Sequence, residues 1–134
     1  MSALFASLDH LVLTTADEAA CIAFYADGLG LQLETFVGGT PPVERKALKF
    51  GSQKINLHVK GHEFEPKAHL PVPGSLDLCF IASQPLDEVI DVLKARGIAI
   101  VEGPVFRTGA TSRLRSIYLR DPDLNLIEIS ERVA

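Results

Sequence analysis

Two spacings of apolar residues alternate along the chain, and the same order of spacings occurs twice. Residues 8–14 (LDHLVLT) form a β-rich run. Cys21, Phe24, Tyr25 and Gly28 then recur at i, i+3, i+4 and i+7, the stripe of an amphipathic helix. Thr15 with Glu18 three residues on has the spacing of a capping box, and Gly30 stands where a helix ends. Residues 31–37 read as a strand, 38–42 as a turn, and 45–50 with 54–59 as a hairpin around Gly51 and Ser52. The second half repeats this order. Residues 75–82 are a strand, Pro85 opens a helix with Leu86, Val89, Ile90 and Leu93 on one stripe, and Gly97 closes it. A strand at 98–102, a loop at 104–112 and a hairpin of 113–120 with 124–130 follow, with Asp121-Pro122 as the turn signal.

Offsets support a duplication. His10 to Gly30 and Asp77 to Gly97 both span 20 residues. His10 to His58 spans 48 and Asp77 to Glu128 spans 51, so on this count His10 matches Asp77 and His58 matches Glu128. The expected fold is α+β: one domain over 1–134 made of two β-α-β-β-β modules, at about 7–60 and 75–131. The intervening 61–74 segment is Pro- and Gly-rich, an ordered crossing rather than a floppy linker. One such module cannot cover its own sheet, whereas two can cover each other.

Composition narrows the possibilities. Hydrophobic residues make up 47% of the chain and mean hydropathy is +0.21, which suits a folded core. A net charge of −4 gives no basic footprint for nucleic acid. No apolar run is long enough to span a membrane and no signal-peptide pattern opens the chain, so a cytoplasmic location is expected. Cys21 and Cys79 sit in apolar patterns and read as buried free thiols.

Against this background His10, His58, Asp77 and Glu128 stand out. Each sits among apolar strand neighbours, so alternation turns it to the face opposite them. A carboxylate there needs a partner or a cation. Two imidazoles and two carboxylates suit a divalent metal (Zn, Ni, Mn or Fe), with His10, His58 and Glu128 as expected ligands and Asp77 as a further candidate. Arg107, Arg113 and Arg115 flank the loop RTGATSR, where they either clamp an anionic substrate or form a solvated edge.

The strings LDHLVLT, FYADGLGL, FGSQKINLH, PGSLDLCFI and IYLRDPDLNLIEIS together resemble the vicinal oxygen chelate superfamily. That group includes glyoxalase I, bleomycin-resistance proteins, fosfomycin-resistance enzymes and extradiol dioxygenases. The resemblance is closer to the glyoxalase domain-containing members and their bacterial relatives. The resemblance implies paired βαβββ modules forming a concave, partly open β-barrel, a metal in the cleft, a small oxygenated substrate chelated through two oxygens, and a homodimer. It implies a lyase, isomerase or dioxygenase, with non-catalytic binding of an antibiotic or metabolite as the alternative. His10 and Glu128 match ligand positions of the family. His58 stands where glyoxalase I has a glutamate that is also its base, and Asp77 where a histidine is usual. Both departures argue against the glyoxalase I reaction itself.

Overall fold

The computed structural model describes residues 3–133. The chain divides into two compact units, one ending at Val72 and the other beginning at Pro73. In the first, β1 (His10–Thr15) leads into α1 (Glu18–Ile22), followed by β2 (Gln32–Gly38), β3 (Val43–Phe50) and β4 (Gln53–Val59). In the second, β5 (Asp77–Ile81), α2 (Leu86–Ala95), β6 (Glu102–Thr108), β7 (Arg113–Arg120) and β8 (Leu126–Val133) repeat that order. Sheet topology repeats too: β1-β4-β3-β2 and β5-β8-β7-β6, each with one parallel pair joining its first and last strands. The α+β class and the doubled βαβββ module are therefore as expected.

Each sheet has an apolar face and a polar face because paired residues share a side. In the first unit, Leu13, Ile55, Leu57 and Leu48 lie on one face and are buried. Cys21 and Tyr25 of the helical segment are fully buried, and a Lys46–Glu18 ion pair of 2.6 Å ties β3 to α1 on this side. In the second unit, Ile117, Leu119, Ile127 and Ile129 form the equivalent buried face. Arg115 also lies there. It reaches Asp87 of α2 at 2.9 Å and Glu131 at 3.7 Å, while Glu131 accepts a hydrogen bond from the Leu86 N–H at 2.6 Å.

Several local expectations shift for physical reasons. The cap of α1 is Asp17, whose carboxylate accepts from the Ala20 N–H at 3.0 Å; Thr15 Oγ1 instead accepts from the Asp17 N–H. After Ile22 the helix widens into a π-helical stretch, Ala23–Gly28, with the Leu29 N–H donating to the Phe24 carbonyl five residues back. Pro85 is the N-cap of α2 rather than its first residue. The largest difference is β6. Gly103-Pro104 reads as loop, yet the strand runs Glu102–Thr108, with irregular register between Glu102 and Val105. It is an edge strand, so a proline lacking its N–H and an irregularity are both tolerated. Cys79 is exposed on the polar face, contrary to the expectation of two buried thiols; Cys21 is buried, and both are free.

The DPDLN turn has a structural role. Asp121 Oδ1 accepts from the Asp123 and Asn125 N–H groups, Asn125 Nδ2 donates to Asp121 Oδ2, and Asn125 Oδ1 accepts from the Leu76 N–H at 2.8 Å. The turn, anchored by the buried Asp121 and Asn125, thereby fixes where β5 begins beside β8.

Candidate functional site

The polar face of the first unit carries His10, Asn56 and His58. Parallel pairing sets His10 level with Lys54, and Asn56 one diagonal step further along the neighbouring strand. His58 is level with Thr14, four residues beyond His10. That is about 13 Å along a strand, so the two imidazoles do not meet on one ion within this sheet. The second unit repeats the diagonal: Asp77 is level with Leu126, and Glu128 is one step further along.

This register corrects the offset count. Position 56 stands to His10 as Glu128 stands to Asp77, so the counterpart of Glu128 is Asn56 rather than His58. The flanking residues agree, since Ile55 and Leu57 are buried beside Asn56 as Ile127 and Ile129 are beside Glu128. The signal was available in the strings INL and IEI, but a histidine two residues away drew the count off. Among the described residues no group of three or more His, Cys, Asp or Glu side chains is assembled to hold a metal. The donors come as two pairs instead.

The donors of the two pairs have different surroundings. His10 Nδ1 lies 2.8 Å from the Asp9 carboxylate, which selects the tautomer leaving Nε2 free. Asn56 Oδ1 is buried without a hydrogen-bond partner, an acceptor that a cation would satisfy. Glu128 Oε2 accepts from Ser130 Oγ at 3.2 Å, and Ser130 is backed by the buried Ser116 at 2.6 Å. Burial pushes the Cys79 thiol up, and the Glu128 and Asp77 carboxylates add to this against the Ser130 hydrogen bond. These oxygen and nitrogen donors fit a divalent metal of borderline or hard character.

His58 has other surroundings. It is buried and meets Phe64 edge-on at 5.5 Å, while the Arg45 guanidinium lies 4.3 Å from that same ring. Burial first, then the charge of Arg45, holds its pKa below the usual histidine value.

A cavity of about 450 Å³ opens within the second unit, lined by Cys79, Ile81, Arg107, the 108–112 loop, Leu114, Glu128 and Arg132. Of the three arginines expected near a substrate, Arg107 alone belongs to this cavity. Arg113 stacks on Phe106 at 4.1 Å and Arg115 pairs with Asp87, both on the opposite face. Arg132 escaped the sequence reading, although it follows Glu128 at i+4, the same-face spacing of a strand.

Two βαβββ modules, each presenting a pair of polar donors at the same diagonal of its parallel strands, mark a fold of duplicated origin. The chain belongs to the Glyoxalase/Bleomycin resistance protein/Dioxygenase superfamily, whose family model matches residues 7–129. It is 56% identical over 126 residues to virulence protein STM3117 of Salmonella typhimurium, covering 94% of this chain and 84% of that protein. The crystal structure of STM3117 superimposes with a TM-score of 0.90 and 54% identity over 98% of this chain and all of that one. Glyoxalase domain-containing protein RDO1 of Mycosarcoma maydis is 55% identical over 92% of this chain and 67% of its own length. TnmS3, an antibiotic-binding protein of Streptomyces sp. CB03234, shares the fold at a TM-score of 0.71 and 20% identity, with 98% of this chain and all of that one covered. The superfamily is generally metal-dependent and binds small molecules. Among the described residues no helix is long and apolar enough to cross a membrane.

Proposed function

We propose that the donor pairs of the modules, His10 with Asn56 and Asp77 with Glu128, are divalent-cation ligands, and that the bound cation holds a small oxygenated ligand. The observation that carries this reading is the repeated diagonal, with prepared donors at His10, Asn56 and Glu128. When bound, such a cation supplies Lewis acidity to oxygens chelated on it. The chain's own residues do the rest. Asp9 orients His10, Ser130 and Ser116 hold Glu128 in place, and Ile81 and Leu114 give the cavity apolar surface. Elemental analysis of protein purified without added metal tests the proposal. Stoichiometric zinc, nickel or manganese supports isomerase or lyase chemistry, and iron supports a dioxygenase. A protein that neither carries nor takes up a divalent ion contradicts the reading.

A second reading is favoured by one specific residue. Asn56 can offer an oxygen but cannot accept a proton at neutral pH, so the first module brings no carboxylate base to its donor pair. A ligand held without turnover, as an antibiotic or metabolite sink, follows naturally from such a site. Turnover assays on metal-replete protein separate the two readings.

A further inference from the structure

The cavity of the second unit has a chemical polarity that the donor pairs leave unexplained. One part of its wall carries Glu128, and Arg107 and Arg132 provide its positive charges. Arg107 is fixed: its Nε donates to Tyr118 Oη at 2.9 Å, its Nη1 to the Phe106 carbonyl at 3.0 Å, and its Nη2 lies 3.5 Å from Glu102. Arg132 is exposed and makes no ion pair or hydrogen bond among the described residues. It lies on the same face of β8 as Glu128, four residues on and about 13 Å along the strand. The 108–112 loop closes against the wall. The Gly109 N–H donates to the Ser112 carbonyl at 2.8 Å, and a Cβ on Gly109 would stand 2.8 Å from Leu114 Cγ. Ile81, Ala110 and Leu114 supply apolar surface between the charged groups.

We infer that Arg132, with Arg107 on the same cavity wall, is an anion-recognition site, and that the ligand is a short-chain acid bearing a carboxylate, phosphonate or phosphate at the end remote from Glu128. The inference deepens the proposed function and rests on it only for what happens at the Glu128 end. An unpaired guanidinium on the wall of an open recess is matched by an anionic oxygen fork. The volume suits a small metabolite rather than a peptide. With Glu128 taken up by a cation, the remaining wall is net positive.

The test uses full-length protein stripped with EDTA, so that no metal contributes to anion binding. Inorganic phosphate and succinate are titrated separately, and amide chemical shifts report the site. The expected result is that shifts concentrate at residues 107–112 and 128–132, and that Arg132→Met weakens binding by about tenfold or more. Lys60→Met, a charge change on an exposed turn of the first unit, leaves the affinity as it was. Arg132 is exposed, so its variant should keep the wild-type spectrum elsewhere. Whichever anion binds more tightly through Arg132 identifies the acid group of the ligand. Shifts confined to other surfaces, an unchanged affinity in Arg132→Met, or no binding of either anion would overturn the inference. A separate metal titration distinguishes the two ideas. Anion binding without metal uptake removes only the cation proposal, and metal uptake without anion binding removes only this one.

Discussion

Two buried polar residues have consequences that can be measured singly. Asn125 joins the Asp121 turn to the Leu76 N–H, and it is 1% exposed. Asn125→Ala strands a backbone donor and a carboxylate oxygen in the interior. Denaturant unfolding should show a loss of about 1–3 kcal/mol, the cost of leaving a buried polar group unsatisfied. A value near zero would mean that water replaces the amide. His58 gives a pH signature. Burial and Arg45 lower its pKa in the folded state, so the unfolded chain takes up a proton first as the medium is acidified. Its contribution to stability is present above the unfolded value of about 6.5 and is lost as pH falls through that value toward the folded one. In metal-free protein, His58→Gln should flatten the decline in melting temperature below pH 6.5. An unchanged slope would assign the acid sensitivity to other groups. The sequence marked both residues, but for other reasons: Asn125 as part of a turn motif and His58 as a ligand. Strand alternation placed His58 on the polar face, whereas only strand pairing could tell how far along the sheet from His10 it falls.

At the scale of elements, α2 is held at its N-terminus from outside. Pro85 offers no side-chain cap, and Glu131 of β8 accepts the Leu86 N–H while Arg115 links Asp87 to the same region. Glu131→Ala should cost about 1 kcal/mol, the usual value of a lost cap, read by urea denaturation. A loss no larger than that of a neutral surface substitution would contradict this role. Arg115 is thereby explained as a brace, which is why its place beside the RTGATSR loop in sequence misled. Helices and hairpins were legible because their spacings are local: the stripe Leu86, Val89, Ile90, Leu93 and the turn at Gly51-Ser52 need no knowledge of neighbours. β6 was not, because Gly103-Pro104 excludes an interior strand and permits an edge one, and edge position is a property of the assembled sheet.

For the whole molecule, duplication was the most legible feature and its register the least. Repeated glycine offsets revealed two modules, but the turn after β7 is three residues longer than the one after β3 and the segment between the first strand and the next is also longer, and the count between first and last strands differs by five residues rather than three. Correcting it puts Asn56 at the place of a glutamate. On this account isomerisation of the methylglyoxal–glutathione adduct is weak or absent in metal-replete protein, because an amide cannot shuttle the proton between adjacent carbons. Turnover in the ordinary enzyme range of about 1–1000 per second would show that another group serves as base. The central claim is the identity of the donors, and calorimetric titration of nickel or zinc into EDTA-stripped variants addresses it most directly. His10→Ala should largely abolish binding at the first module's pair and Glu128→Ala at the second's, Asp77→Ala should weaken binding about 10–100-fold, Asn56→Ala should weaken it measurably, and His58→Ala should bind as the wild type does. Loss of binding in His58→Ala, with Asn56→Ala unaffected, would contradict the account.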